Sequence, residues 1–178
     1  MMVFPGDFLG YAEEYIPGYG VYEEDGKLFA ATAGKAVVEE KTLRVIPVNS
    51  IPEVGKNDVV VGRVVDTRGS FAMVEIARKE GNSRALRHYD RGFLHVSNMS
   101  EGYLKNVEDG VRYMDIIRAR VIDSNLRLSI KEREMGVIKA ICEKCSTPLL
   151  REKDKLKCPE CGNVEKRKIS EYYGKGEW

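Results

Sequence analysis

From residue 59 onward, apolar and polar positions alternate in short bursts separated by turn residues. Five segments carry this period of two: "VVVGRVVD" (59–66), "SFAMVEIA" (70–77), "GFLHVS" (92–97), "DIIRARVID" (115–123) and "LRLSIK" (126–131). Alternation over so few residues, in segments rich in valine, isoleucine and phenylalanine, is the mark of half-buried strands. The segment "GYLKNVEDGVRY" (102–113) between the third and fourth strands has room for a short helical turn. Five short strands at this spacing suit a small Greek-key barrel of the OB type over residues 55–134.

Two further modules flank it. Residues 1–54 carry turn signals at short intervals ("PGDFLG", "IPGYG", "EEDGK") between apolar pieces at Tyr19–Tyr22, Leu28–Ala31, Lys35–Val38 and Leu43–Val48. That is the cadence of a small β domain. Asp25-Gly26 within "EEDGK" supplies the positive φ of a two-residue hairpin turn. "NSIPEVGKND" (49–58) reads as a linker, since proline and glycine punctuate it. Residues 135–178 form a compact tail holding all four cysteines. The expected fold class is therefore all-β, in three small modules.

Parity along each strand sorts the barrel side chains. Ala72, Val74, Ile76, Leu94, Val96, Ile117, Ala119, Val121, Leu126, Leu128 and Ile130 share the apolar parity and belong inside. Phe71, Met73, Glu75, Phe93, His95, Arg118, Arg120 and Arg127 then face outward, with Arg63 a further cation. Rings interleaved with guanidinium groups match single-stranded nucleic acid. Bases stack on the rings for about 1–3 kcal/mol each and arginines neutralise phosphates. The plainer alternative is that loops or another domain cap Phe71 and Phe93, and that His95 only hydrogen-bonds there. The one other histidine, His88, falls in a polar loop. No nucleophile is placed with a base and an orienting group, so a catalytic His95 is disfavoured.

The cysteines sit as two C-x-x-C pairs, Cys142/Cys145 and Cys158/Cys161, twelve residues apart. Each pair makes a tight knuckle that aims two thiolates at one point, and two knuckles complete a tetrahedron. One structural zinc ion per chain is expected; a rubredoxin-like iron site has compatible spacing and stays open. A redox dithiol is disfavoured, because neither pair opens a helix in an α/β pattern. A closed four-cysteine site leaves no position for catalysis at the metal, and so small a module depends on the metal to fold.

Charge and composition refine this picture. The chain has 178 residues, 43% hydrophobic and 32% charged, with a net charge of +1. That is a globular composition. Residues 1–54 hold 4 Lys+Arg against 9 Asp+Glu, a balance of −5. Residues 55–134 hold 15 against 12 and residues 135–178 hold 10 against 7, each +3. The two ends are thus suited to different partners. No apolar run approaches the ~20 residues of a membrane span, and "MMVFPGDFLG" has no secretory pattern. A cytoplasmic location is the expectation.

With these residues in view, a family resemblance emerges. "VVVGRVVDTRGSFAMVEI", "GFLHVSNMS" and "DIIRARVIDSNLRLSIK" resemble the RNA-binding OB barrel known as the S-one domain. Preceded by "PGDFLGYAEEYIPGYGVYEEDGKLFA" and followed by "CEKC…CPECGN", the whole chain resembles the zinc-ribbon RNA-binding cap subunits of the archaeal exosome. The resemblance implies that Phe71 and His95 occupy RNA-contacting positions. Arg68 stands where many members have an aromatic, Asn125 where some have an arginine, and the loop from Arg78 to Arg91 is longer and basic. These departures point to more phosphate-directed binding, with Arg68 taking part. The resemblance further implies three non-catalytic caps docked through their N-terminal domains on a ring of RNase-PH-like subunits, guiding RNA 3′ ends to degradation and processing. It also implies a primase-like partner. A transcription or translation factor carrying the same two modules is the alternative, and a nuclease ranks last, since no carboxylate cluster for two metals is visible.

Overall fold

The computed structural model describes residues 1–48, 52–82, 84–86 and 90–175. His88, part of the basic loop and residues 49–51 of the expected linker lie outside the described residues. The chain divides into two compact units, Met1–Ser50 and Ile51–Trp178. Among the described residues there is no α-helix, and no helix long and apolar enough to cross a membrane.

The first unit contains seven strands: β1 (Met2–Val3), β2 (Phe8–Tyr11), β3 (Ile16–Pro17), β4 (Val21–Glu24), β5 (Lys27–Ala30), β6 (Gly34–Glu39) and β7 (Thr42–Pro47). They form a four-stranded sheet ordered β1-β6-β7-β3 and a three-stranded sheet ordered β2-β5-β4. Val3, Ala30 and Val45 make the small core, with Leu9, Val21 and Ala36 packed against it. The β4–β5 hairpin turns on Asp25 and Gly26, at φ 50° and 72°, as its Asp-Gly pair predicts. A second left-handed pair, Glu40 and Lys41 at φ 47° and 74°, joins β6 to β7 without any glycine. On the outer face of the three-stranded sheet, Phe8, Phe29 and Tyr22 lie in register across the strands.

The second unit holds β8 (Val59–Arg68), β9 (Phe71–Lys79), β10 (Asp90–His95), β11 (Ile116–Val121), β12 (Arg127–Ser129) and β13 (Gly136–Lys139). The sheet order is β12-β10-β9-β8-β11-β13, and β12 also pairs with β11. That pairing closes a five-stranded barrel in which β10 and β12 run parallel and the other neighbours antiparallel. It is the OB arrangement. Ala72, Val74, Ile76, Leu94, Ile117, Ala119, Val121, Leu128 and Ile130 are each fully buried, nine of the eleven that strand parity places inside. Two depart: Leu126, at φ 56°, belongs to the turn before β12, and Val96 lies past the end of β10 in a 3-10 turn; both are half-buried against the core. A short 3-10 turn at Val107–Asp109 fills the segment expected to hold one.

Beyond β13, β14 (Leu150–Glu152), β15 (Lys155–Lys157) and β16 (Val164–Glu165) make a three-stranded antiparallel sheet. Its Cys142, Leu149, Leu156, Cys158 and Tyr173 belong to the same buried cluster as the barrel residues. Barrel and cysteine module therefore share one core. They meet closely at Gly136, whose φ is +133° and where a Cβ would stand 2.4 Å from the Lys168 carbonyl oxygen. Only glycine fits that conformation and that approach.

Candidate nucleic-acid interface and metal centre

The four thiol sulfurs lie within 4.8 Å of one another. Three pairs stand at 3.3 Å (Cys145–Cys158), 3.6 Å (Cys142–Cys161) and 3.6 Å (Cys145–Cys161). A tetrahedral ion with sulfur bonds of about 2.3 Å needs edges of roughly 3.8 Å, so these residues fit such an ion. Four thiolates this close would repel strongly without a cation between them. The two knuckles are built alike. Ser146 N–H donates to the Cys142 carbonyl and Cys142 N–H to that of Thr147, both at 2.8 Å. Gly162 N–H donates to the Cys158 carbonyl at 3.1 Å and Cys158 N–H to that of Asn163 at 2.8 Å. Gly162 takes the left-handed position at φ 70°, and Ser146 takes it in the other knuckle at φ 58°.

A buried ion network ties this centre to the barrel. Arg167 donates through Nε to Asp115 and through Nη2 to Glu165, each at 2.7 Å. The three side chains are 1%, 0% and 3% exposed. Glu165 also accepts from the backbone N–H of Glu143 at 3.0 Å and from Asn163 at 2.8 Å, and Asn163 reaches the Cys142 sulfur at 3.9 Å. Burial pushes Asp115 up to about 6 against the pull of Arg167. Burial acts on Glu165 in the same sense. There the Glu143 N–H and the Arg167 guanidinium outweigh it and hold the carboxyl below its ordinary range.

On the barrel exterior, cross-strand register builds a ladder. His95 lies opposite Phe71, and Phe71 opposite Arg68; one step on, Phe93 lies opposite Met73, and Met73 opposite Asp66. Phe93 is also in register with Arg127 on its other side. Phe71 and Phe93 remain 53% and 44% exposed. With Asp66, Arg68 and Met73 they line an apolar groove of about 310 Å³. The Phe71 and His95 rings meet edge-on, centroids 4.6 Å apart at 60°. His95 caps the 3-10 turn Val96–Asn98, its Nδ1 accepting from the Ser97 N–H at 3.2 Å and lying 2.7 Å from the Ser97 hydroxyl. A backbone N–H can only donate, so in the neutral ring the proton sits on Nε2. The ring is thereby fixed in orientation with a donor to offer.

Comparison with known proteins now bears on these features. Residues 51–170 match the family described as "Exosome component EXOSC1/CSL4". A protein of Archaeoglobus fulgidus named "Exosome complex component Csl4" is 56% identical over 176 residues, covering 99% of this chain and 98% of that protein. The chain belongs to the EXOSC1/CSL4 family of exosome components. Residues 2–39 also match "Exosome complex exonuclease RRP4 N-terminal region". A Methanobrevibacter smithii protein named "Exosome complex component Rrp4" is 30% identical over 139 residues, 76% of this chain but 43% of that protein.

In this EXOSC1/CSL4 member the expected face residues divide. Phe71, His95 and Arg68 form one row, with Phe93 and Arg127 beside them. Arg63 lies further along and pairs with Glu75 at 2.9 Å. Arg120 is set against Val59, at the opposite end of β8 from Arg68, and its Nε and Nη2 hold Glu132 at 2.7 and 2.9 Å. Arg118 is a correction to the outward set. It points out of the barrel, as parity requires, but β13 and the C-terminal segment roof it over. It is 6% exposed, forked onto Glu80 at 2.8 and 2.9 Å, and 4.9 Å from the Tyr172 ring. Arg68 pairs with Asp66 at 2.7 Å and Arg127 with Asp123. Exposed pairs of this kind are worth about 0–1 kcal/mol, so a phosphate can replace the carboxylate at little cost. Arg91 also belongs to this face. It is exposed, two residues before Phe93, and makes no ion pair among the described residues; counting back by two from Phe93 would have found it.

Proposed function

We propose that this chain is a non-catalytic cap of the exosome that binds single-stranded RNA on the barrel face of Phe71, Phe93 and His95. It hands the strand to RNase-PH-like ring subunits for 3′-5′ degradation and processing. The observation that carries the reading is the pair of half-exposed phenylalanines over an apolar groove, edged by exchangeable arginines, in a family of exosome components. Bases stack on such rings and the guanidinium groups take phosphates.

Residues 1–54 would dock the cap, three copies per ring. Their −5 balance suits a protein surface better than phosphates, and the in-register Phe8, Phe29 and Tyr22 offer an apolar contact. Residues 55–134 would meet RNA, and residues 135–178 would hold one structural zinc ion through Cys142, Cys145, Cys158 and Cys161. That module would also offer a surface to a primase-like partner. The site of action would be the cytoplasm. Binding of a labelled oligoribonucleotide to the full chain, with ring subunits captured from the same cells, tests the reading. No RNA affinity and no ring subunits would overturn it.

A further inference from the structure

The RNA face supplies stacking surface but few unengaged cations besides Arg91, since Arg63, Arg68 and Arg127 each hold a carboxylate. A strand lying there needs positive charge further along its path. Hollows in the surface lead from the face to such a place. The groove at Phe71 shares Arg68 with a second hollow of about 270 Å³ that passes Gly69 and reaches Asn106 and Glu108. One residue before Asn106 begins a third, of about 570 Å³, at the junction of barrel and cysteine module. It is lined by Tyr103, Lys105, Lys155 and Lys166 together with the carboxylates of Asp109 and Asp154.

Tyr103 is 93% exposed, a ring with nothing packed over it. Lys105, Lys155 and Lys166 are exposed and make no ion pair among the described residues. The lysines come from two modules, Lys105 from the loop after β10 and Lys155 and Lys166 from the ribbon strands and their flank, and they converge on one hollow. Arg167 also lines it, but its charge is spent on Asp115 and Glu165. An aromatic platform beside three unengaged ammonium groups is the chemistry that holds a sugar-phosphate strand with one base stacked.

We propose that the junction hollow of Tyr103, Lys105, Lys155 and Lys166 is a second RNA subsite, and that a strand bound at Phe71 continues past Gly69 into it. This rests on the RNA-binding reading of the barrel face. It assigns the ribbon a direct part in binding: the module presents two of the three phosphate-binding lysines.

The test compares single-stranded oligoribonucleotides of about 4 and about 16 nucleotides, lengths that bracket the site sizes of such barrels. The protein is the metal-loaded full chain. Replacing Lys105, Lys155 and Lys166 together by glutamine should leave the short oligomer's affinity unchanged. For the long one it should lower the salt slope by about 2, near 0.7 for each phosphate no longer neutralised. Tyr103→Ala should weaken the long oligomer at least about fivefold and spare the short one. All four side chains are exposed, so metal content and urea midpoint should match wild type. If Phe71→Ala weakens both oligomers while the lysine and tyrosine variants weaken neither, the second subsite is wrong and the barrel face stands. If the wild-type chain binds neither oligomer, both readings fall. A triple lysine variant that loses affinity for a polyglutamate peptide, but keeps its full affinity for RNA, would assign the hollow to an acidic protein and overturn the proposal.

Discussion

Arg167→Met removes the charge that bridges two buried carboxylates in the interior of the second unit. Asp115 and Glu165 are 0% and 3% exposed, and Arg167 bridges them with two bonds of 2.7 Å. Arg112, the next nearest cation to Glu165 at 3.6 Å, is partly engaged by Glu143. Methionine fills much of the arginine stem's volume, so the loss is electrostatic rather than a cavity. Breaking a buried pair by removing one partner costs about 3–5 kcal/mol, because an uncompensated charge is left behind. With a urea m-value of about 2 kcal/mol per molar, the midpoint should fall by roughly 2 M. Equilibrium unfolding of the metal-loaded protein, followed by circular dichroism, reads it directly. Adding Asp115→Asn and Glu165→Gln to the same variant should restore most of the loss, since the network is then neutral. A midpoint within about 0.3 M of wild type for Arg167→Met alone would refute the reasoning.

Three further outcomes follow from the same structure. Asp115→Asn tests the elevated carboxyl: its pKa of about 6 against an ordinary 3.8 means the folded state binds more protons in that window. Stability contributed by Asp115 protonation is present at low pH and lost as pH rises through 6. Wild type should therefore gain about 1.4 kcal/mol relative to Asp115→Asn between pH 7.5 and pH 5, and a flat difference would contradict it. Metal analysis should find one zinc per chain, and a chelator or Cys158→Ser should unfold residues 135–175, seen as lost amide protection there; retained protection without metal would refute a structural role. Tyr22→Ser should reduce capture of ring subunits while leaving RNA affinity intact, and undiminished capture would remove the aromatic row from the docking surface.

Much of the barrel was legible because alternation is a local signal. Nine of the inward positions named from parity are fully buried, since each strand has one face on the core. The Asp25-Gly26 turn and the cysteine knuckles were legible for a like reason: a few adjacent residues carry the whole constraint. The Glu40-Lys41 turn was not, because ordinary side chains adopt left-handed φ there only under the pull of the β6–β7 ladder. Arg118 shows the limit of parity, which gives direction but not what lies beyond; its roof comes from residues 18 to 54 positions later. The arginine–carboxylate pairs on the face depend on register between strands, as Arg63 opposite Glu75 does. The Asp115–Arg167–Glu165 network joins residues 52 apart and left no local trace.

The central claim is that Phe71 and its neighbours form an RNA-stacking surface. Fluorescence anisotropy of a labelled single-stranded oligoribonucleotide, titrated with the metal-loaded full chain and with Phe71→Ala, tests it most directly. Wild type should bind with an affinity that falls steeply as salt rises, and Phe71→Ala should weaken binding about 5- to 100-fold, the worth of one stacked base. Equal affinities for the two proteins, at unchanged urea midpoint, would contradict the account.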